Sequence, residues 1–290
     1  MTHDHSPKGA IVFLLDSSFL DGLKGFIKSA SLAMSHKTED ILIISDDERL
    51  LDDPFVKELA DKTILITPEE VEKFRVIDLS NVDGKHLNHE SGSYWFLKFC
   101  MFRDYGYDYH ICIDADVICM SDDFRFSDID GDGDLAICRA MGPGSLKLKG
   151  WDDRPFFTRP LVSRRIKRKA DKKYKSLPPV NSGIMRIKKP LIGEDTFVGL
   201  LALASNVAYS LEQEVVQAYV TKANFKIVIL PFWFNFTMLA SVAIGPRRFQ
   251  KLAKENIKIL HFNRSKKPWQ RSDGEKDWLD AIWDETAIEK

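Results

Sequence analysis

Runs of apolar residues alternate with helical patterns through the first half of the chain. Residues 9–16 and 41–45 are apolar at nearly every position, which is typical of parallel strands covered on both faces. Residues 19–34 lie between them and carry apolar side chains at helical spacing. A helix at 54–60 and a strand at 63–67 repeat this strand–helix–strand unit. The pattern therefore predicts an open α/β sheet.

The same kinds of element continue along the chain on both sides of an irregular segment. We predict a helix at 93–105, strands at 110–120 and 134–138, an irregular proline-rich and basic segment at 142–179, a strand at 180–187, helices at 194–208 and 211–221, strands at 227–230 and 257–262, and a C-terminal helix from 275 with Trp278, Ile282 and Trp283 facing inward. The alternation of strands and helices thus extends through most of the chain.

Composition narrows the classes of function. The chain has 290 residues with a net charge of -1, so no global field attracts it to nucleic acid or to an anionic membrane. The longest apolar stretch, 232–244, is too short and too polar to span a bilayer, because it contains Asn235, Thr237 and Ser241. The first eight residues are polar and predict a loose tail instead of a signal peptide. These features favour one large globular domain, or one domain with a modest second lobe.

The cysteines indicate a reducing compartment. Four cysteines lie in apolar surroundings without metal-type spacing, so we predict free, buried thiols and a cytoplasmic location. The Asn-x-Ser/Thr triplets at Asn235 and Asn263 are then chance matches.

Asp114-Ala115-Asp116 is the strongest local signal for chemistry. It ends an apolar run, and residues two apart in an extended backbone point the same way, so both carboxylates leave one face at a strand end. Open α/β sheets bind their ligands at such ends. Paired carboxylates suit Mg²⁺ or Mn²⁺ when a diphosphate supplies the remaining ligands. Plain solvated carboxylates are the alternative.

The acidic segment 128–135 also has Asp-x-Asp spacing, and it fits the first eight positions of a calcium loop. Position twelve of that loop requires a bidentate Glu, and Arg139 stands there. We therefore predict a turn that precedes a strand.

Two further motifs follow Asp114-Ala115-Asp116 in the chain. They are Asn181-Ser182-Gly183 and the spacing His261-x5-Lys267-Pro268-Trp269. A lone histidine is more often simply hydrogen-bonded than a ligand, but the three motifs in this order resemble the retaining glycosyltransferases of family 8, which include glycogenin and bacterial lipopolysaccharide galactosyl- and glucosyltransferases. The resemblance covers about residues 10–269.

The resemblance implies a GT-A type fold, with a Rossmann-like mixed sheet flanked by helices in one domain of two abutting lobes. The implied boundaries are a disordered tail at 1–8, a domain at 9–290, a nucleotide-binding lobe at 9–140, an acceptor-binding lobe at 141–245, and a segment at 246–290 that closes over metal and phosphate.

The resemblance also implies roles for matching residues. Asp114, Asp116 and His261 would bind Mn²⁺ or Mg²⁺, which grips the diphosphate of a UDP-sugar. Lys267 would contact the diphosphate, while Asp16 and Phe19 would hold the uracil. The other implied donor-binding or catalytic residues are Lys98, Ala115, Asn181, Gly183, Glu212 and Gln213. The activity implied is transfer of a hexose, with glucose or galactose favoured, to a glycan, lipid-linked or protein acceptor.

The sequence departs from the family pattern at four positions. Arg264 replaces a glycine that the family has between the histidine and the lysine, in the segment 262–267, which is called the phosphate turn below. A glycine-only backbone conformation is therefore not expected there. Ser18 and Phe19 replace Asn and Tyr beside the uracil, and Glu212 replaces a shorter Asp. The departures leave the UDP-sugar class standing and the particular sugar open.

Retention of configuration admits two mechanisms. Gln213 is an amide and a poor nucleophile, so we favour front-face attack by the acceptor, with Gln213 stabilising positive charge on the sugar. Double displacement through Glu212 or Glu214 is the alternative.

The basic run 164–175 contains eight Lys or Arg residues and one Asp. It is either a solvated loop or a surface for an anionic acceptor or a membrane that carries a lipid-linked glycan. Arg164 and Arg165 are therefore candidate acceptor residues, and Trp151 is a candidate stacking platform. Trp95 is predicted in the core. Nucleic acid is not expected, because the charges lack interleaved aromatic residues.

Two other classes compete with the transferase interpretation. In a haloacid-dehalogenase-type phosphatase, Asp114 would be the nucleophile and Asp116 the acid/base, but the downstream motifs would then have no role. A degenerate, glycan-binding relative is the second alternative, motivated by Ser18 and Arg264.

Overall fold

A seven-stranded mixed sheet lies at the centre of the computed structural model, which describes residues 6–75, 77, 95–140, 178–206 and 211–288. Its strands are β1 (Gly9–Leu14), β2 (Asp40–Ser45), β3 (Lys62–Leu65), β4 (Tyr109–Ile113), β6 (Leu135–Arg139), β7 (Val180–Lys188) and β8 (Ile227–Leu230). They lie in the order β3-β2-β1-β4-β7-β6-β8. β7 runs antiparallel to both neighbours, and the other pairs are parallel. The predicted mixed α/β sheet is confirmed.

Helices cover both faces of this sheet. They are α1 (Leu20–Ser29), α2 (Ser31–Ser35), α3 (Glu48–Leu51), α4 (Pro54–Leu59), α5 (Pro68–Arg75), α6 (Glu194–Asn206) and α7 (Glu212–Lys222). Three further helices, α8 (Met238–Ile244), α9 (Pro246–Glu255) and α10 (Trp278–Trp283), pack together in a separate hydrophobic cluster. Along β1, Ala10 and Val12 enter one hydrophobic cluster, while Ile11 and Phe13 enter the cluster on the opposite face. This double burial is why the strand is apolar at every position.

A second, three-stranded sheet abuts the first and carries part of the candidate site. It consists of β5 (Val117–Cys119), β10 (Ile259–His261) and β9 (Phe236–Thr237), with β10 in the middle. The prediction of one strand over 110–120 is therefore wrong, because the chain leaves the large sheet after Ile113 and joins the small sheet at Val117. The break lies at Asp114-Ala115-Asp116, where the chain changes sheets.

Several local predictions are corrected by the structure. The predicted helix 19–34 is divided at Ala30, and residues Leu97–Phe102 form a 3-10 helix instead of part of an α-helix. Trp95 is 38% exposed, so its placement in the core is wrong. On α10 the deeply buried apolar side chains are Leu279 and Trp283, whereas Trp278 and Ile282 are half-buried.

The prediction for the cysteines is confirmed. Cys100, Cys112, Cys119 and Cys138 are buried thiols outside any disulfide. Within the described ranges, no helix has the length and apolar character needed to cross a membrane.

The acidic segment 128–135 forms the predicted turn before a strand. Asp128 accepts the backbone N–H of Arg125 at 2.9 Å, and Asp134 accepts that of Lys226 at 2.8 Å. The carboxylate of Asp132 pairs with the ammonium of Lys226 at 2.6 Å. These carboxylates are thus engaged by the protein itself.

Candidate metal and donor site

Asp114, Asp116 and His261 meet where the two sheets join. β5 pairs antiparallel to β10 with Val117 opposite His261, and the backbone N–H of Phe262 donates to the carbonyl of Asp116 at 2.8 Å. This register brings residues far apart in the chain side by side. One ligand atom from each of the three side chains lies within 4.8 Å of the others, the one such group found among the described residues. The predicted ligand set is therefore brought together.

The His261 ring is held between these carboxylates and an asparagine. Its Nε2 lies 3.1 Å from Oδ1 of Asp116 and 3.7 Å from Oδ2 of Asp114. Its Nδ1 lies 2.8 Å from Oδ1 of Asn235, whose Nδ2 donates to Oδ1 of Asn181 at 2.6 Å. Both ring nitrogens therefore have a polar partner although the residue is buried.

Two lysines neutralise the same carboxylates. Nζ of Lys98 lies 2.7 Å from Asp114 and 3.7 Å from Glu212. Nζ of Lys267 lies 2.6 Å from Asp116 and donates to the carbonyl of Phe262 at 3.0 Å. With neutral imidazole, three carboxylates face two ammonium groups, so one negative charge is left over.

Burial and charge compete in setting the pKa of these groups. Burial raises the pKa of Asp116, but the charges and hydrogen bonds of a protonated His261 and of Lys267 outweigh it and hold that pKa well below its usual range. Burial lowers the pKa of Lys98, but Asp114 and Glu212 outweigh it and raise that pKa above its usual range. Asp116 and Lys98 therefore stay charged at neutral pH.

The side chains of Asp114, Asp116 and His261 fit a divalent cation. When Nε2 of His261 carries no proton, it and the facing Oδ1 of Asp116 both present lone pairs, so the contact of 3.1 Å between them requires a proton or a cation. Two carboxylates and one imidazole are ligands that Mn²⁺ accepts, and the surplus negative charge favours a cation. Asp114, Asp116 and His261 could hold such an ion, with further positions left for ligand oxygens.

The predicted nucleobase residues lie beside a cavity at the carboxyl ends of β1, β2 and β3. Asp16 caps the 3-10 helix Ser17–Phe19, and its Oδ1 accepts the backbone N–H of Ser18 at 2.8 Å. The cavity has a volume of about 710 Å³. It is lined by Asp16, Ser17, Ser18, Asp46, Asp47, Glu48, Arg49, Leu65, Ile66 and Pro68. This edge of an open α/β sheet is where ligands bind.

Phe19 connects the cavity to the phosphate turn. Its ring lies 5.9 Å from that of Trp269, and the ammonium of Lys267 lies 5.7 Å from the ring centre. Nε1 of Trp269 donates to the carbonyl of Ser18 at 3.0 Å. The first strand end and the C-terminal segment thus form one wall.

Glu212 and Gln213 begin α7 and face β7. Oε1 of Glu212 accepts from the hydroxyl of Ser182 at 2.6 Å, and Ser182 in turn accepts from Lys98 at 3.3 Å. Oε1 of Gln213 lies 3.4 Å from the backbone nitrogen of Ser182. The predicted residues Lys98, Glu212 and Gln213 are therefore joined through Ser182.

The Asn181-Ser182-Gly183 segment packs directly under His261. Oδ1 of Asn181 accepts the backbone N–H of Gly183 at 2.9 Å. A Cβ on Gly183 would lie 2.6 Å from Cε1 of His261, so only glycine allows this approach. Ala115 is buried between the two aspartates.

The backbone of Arg264 does not adopt the positive φ that favours glycine. Among the described residues, Asn224 is the one non-glycine with positive φ. The Arg264 guanidinium pairs with Asp277 at 2.9 Å and with buried Asp280, which tie the phosphate turn to α10. As expected, the backbone at Arg264 is not in the conformation that requires glycine.

Sequence reasoning missed Ser182 and Asn235, which connect the predicted residues. The signal for Asn235 was a single amide within the apolar stretch 232–244, since a buried amide must find partners. Its complete burial, with that of Thr237, removes this triplet as a glycosylation acceptor in the folded protein. The predicted acceptor residues Trp151, Arg164 and Arg165 lie outside the described residues.

The fold is that of GT-A glycosyltransferases, which several solved structures share. Galactosyltransferase LgtC, in complex with donor and acceptor sugar analogs, is 15% identical over 96% of this chain and 95% of its own, with a TM-score of 0.56. GlyE of Streptococcus pneumoniae TIGR4 is 16% identical over 98% of this chain and 61% of its own, with a TM-score of 0.55. The bifunctional glycosyltransferase WbbM is 16% identical over 99% of this chain and 51% of its own, with a TM-score of 0.57. No family model and no curated protein matches the chain.

Proposed function

We propose that this protein is a metal-dependent, retaining glycosyltransferase of the family 8 type, which transfers a hexose from a UDP-sugar to a glycan, lipid-linked or protein acceptor. The observation that carries the proposal is the triad of Asp114, Asp116 and His261 at the junction of two sheets, on a fold of the GT-A type. The similar LgtC structure contains donor and acceptor sugar analogs, which supports the same classes of ligand here.

Mn²⁺ is the favoured ion, with Mg²⁺ as the alternative, because an imidazole in the ligand set suits Mn²⁺ better. When bound, the ion would supply charge neutralisation of a diphosphate leaving group. Lys267 would add to this effect. Its ammonium pairs with Asp116 and lies next to the Phe19 ring, close to both the proposed metal ligands and the proposed uracil site. A preorganised ammonium stabilises charge that develops on the leaving oxygen without reorganisation.

The residues on the opposite side of the triad would hold the sugar. Lys98 bridges Asp114 and Glu212, and the Ser182 hydroxyl donates to the same Glu212 oxygen that faces Lys98. A carboxylate pinned by these two partners is suited to binding hydroxyl groups. Gln213 is then the group beside the reacting carbon, which supports front-face attack by the acceptor. Trapping of a covalent sugar adduct on Glu212 or Glu214 would instead establish double displacement.

The phosphatase alternative is disfavoured by the contacts of Asp114. Both of its carboxylate oxygens lie within 2.8 Å of the Lys98 ammonium, which opposes its use as a nucleophile.

We propose that residues 164–175 bind an anionic acceptor or a membrane surface, and that Trp151 stacks on the acceptor. Neutralising four basic residues of this run is expected to weaken binding to anionic vesicles or to raise the acceptor KM. Unchanged values of both would remove the proposal.

The proposed donor site is tested by thermal unfolding with UDP, in the presence and absence of Mn²⁺. We expect stabilisation by UDP only with Mn²⁺, of about 3 kcal/mol at a hundredfold excess over Kd, and its loss in Asp116→Ala. Release of hexose from UDP-glucose or UDP-galactose would then distinguish an enzyme from a degenerate binding relative. Absence of any UDP effect would contradict the proposed donor class.

A further inference from the structure

We propose that Asn235 is a positioning residue that fixes the tautomer and the orientation of the His261 ring, so that Nε2 presents its lone pair to the carboxylate pair. Asn235 ends the 3-10 helix Phe232–Asn235 and is fully buried. It contacts the side of the ring opposite the carboxylates. The consequence for cation binding rests on the proposed function, whereas the effect on the ring does not.

The orientation of the Asn235 amide is set by a backbone donor. The N–H of Gly183 donates to Oδ1 of Asn181 at 2.9 Å, so that oxygen is an acceptor. Asn235 lies 2.6 Å from the same oxygen and must therefore present its NH₂ group to it. The carbonyl oxygen of the Asn235 amide then faces His261.

This orientation selects one tautomer of the ring. Oδ1 of Asn235 only accepts hydrogen bonds, so Nδ1 of His261, 2.8 Å away, must carry a proton. Nε2, which points at Asp116 and Asp114, is then the ring nitrogen whose proton a cation would replace. The hydrogen-bond partner of one ring nitrogen generally decides which nitrogen is free to bind a metal.

The surrounding backbone leaves the ring little freedom. β9 begins directly after Asn235 and pairs with β10, with Thr237 opposite His261. On another side, Gly183 lies so close that a single added carbon would touch the ring. Asn235 thus directly precedes the strand next to the one that carries His261, which holds the amide beside the ring.

The test combines two measurements on the full chain. Nitrogen-15 NMR of the His261 ring in metal-free protein at mildly alkaline pH reports the tautomer, and electron paramagnetic resonance titration with Mn²⁺ alone reports affinity. In Asn235→Ala we expect loss of the Nδ1-H signature and about 10- to 100-fold weaker Mn²⁺ binding. Asn235→Asp keeps an acceptor for Nδ1 and is expected to retain the signature.

Asn263→Ala is the matched control, because Asn263 is two residues from His261 and its side-chain oxygen has no hydrogen-bond partner among the described residues. It is expected to behave like the unmodified protein in both measurements. If Asn235→Ala does not fold, Asn235→Asp carries the test, and loss of the signature there overturns the proposal.

The outcomes separate this inference from the proposed function. Unchanged tautomer and unchanged Mn²⁺ affinity in Asn235→Ala would overturn the positioning role. If the unmodified protein binds no Mn²⁺ but Asn235→Ala still loses the tautomer signature, the positioning role stands and the proposed metal dependence fails.

Discussion

Two ionic clusters each contain one basic residue of the segment 262–267, and only one of the clusters has the properties of a ligand site. The donor-site cluster consists of Lys98, Asp114, Asp116, Glu212, His261 and Lys267. The C-terminal cluster consists of Arg264, Arg271, Asp277 and Asp280. Both are rich in short ion pairs, so burial of charge does not distinguish them.

The balance of charge distinguishes them. The C-terminal cluster pairs two guanidinium groups with two carboxylates, and Asp280 is fully buried between Arg264 and Arg271. The donor-site cluster has an excess of carboxylate and a histidine aimed at it. A balanced cluster stabilises the chain's own structure, whereas an unbalanced one has charge left for a ligand. The following changes test this difference, beginning with the largest expected effect.

Asp116→Asn removes the carboxylate that His261 and Lys267 share. We expect transfer from a UDP-sugar to fall by about a thousandfold or more, because stabilisation of the leaving group by a held cation is worth several kcal/mol. Initial rates with saturating Mn²⁺ measure the effect.

Asp132→Asn is the control for this change. Asp132 also belongs to Asp-x-Asp pairs, but it is fully exposed and pairs with Lys226. Its removal is expected to leave the rate unchanged. A comparable loss in both variants would show that the position of Asp116 is not what matters.

Asp280→Asn leaves two arginines of the C-terminal cluster with a neutral partner. We expect the free energy of unfolding to fall by about 3–5 kcal/mol, because removing one member of a buried pair leaves uncompensated charge. Urea unfolding measures the loss, while Mn²⁺-dependent UDP binding by the folded fraction is expected to change little.

Asp277→Asn is the comparison within the same cluster. Asp277 is substantially exposed, and asparagine keeps the N-cap hydrogen bonds to Leu279 and Asp280. Its loss is expected to cost about 0–1 kcal/mol. Equal losses in the two variants would contradict the assignment of a structural role to burial of Asp280.

The same contrast shows how far the sequence alone could predict this molecule. The large sheet was predictable, because strands buried on both faces must be apolar throughout, and Asp114 and Asp116 were recognisable at a strand end. The pairing of β5 with β10 was not, since it depends on a register between segments about 140 residues apart and on a change of sheet within a stretch that resembles one strand.

The supporting residues were still less predictable. Asn235 is one amide in an apolar stretch, and its role depends on the neighbouring strand placing it beside His261. Arg264 was recognised as a departure from a family glycine, but its partner Asp280 lies on a helix for which the sequence indicated tryptophan contacts. Hydrophobic periodicity reports which face is buried and does not report which charges meet there.

Gly183→Ala tests the packing beneath the donor-site cluster. The added Cβ would lie 2.6 Å from Cε1 and 2.7 Å from Nδ1 of His261, so the ring must shift. We expect a loss of about 1–3 kcal/mol in stability and weaker Mn²⁺ binding, measured by urea unfolding and by titration. Gly274→Ala is the control, because a Cβ there meets nothing within 4 Å and should alter neither. Wild-type metal affinity in Gly183→Ala would show that the ring has room to move.

A buried histidine outside both clusters separates burial from ion pairing. His110 is fully buried, its Nδ1 lies 2.7 Å from the carbonyl of Met101, and its Nε2 has no partner among the described residues. Burial lowers the pKa of His110 to about 4. Between that value and the ordinary value near 6.5, the unfolded chain binds more protons, so stability must fall as pH decreases. This dependence is the opposite of what a histidine paired with a carboxylate contributes.

His110→Phe should therefore remove part of the acid sensitivity. Relative to the unmodified protein, we expect the loss of unfolding free energy between pH 7 and pH 5 to be smaller by about 2 kcal/mol, because the titrating group is gone. The loss of the hydrogen bond to Met101 lowers stability at both pH values and cancels in this difference. Urea unfolding of both proteins at the two pH values measures it. An identical pH dependence would mean that His110 binds its proton equally well in the folded and the unfolded protein. Burial would then not lower the pKa of this histidine.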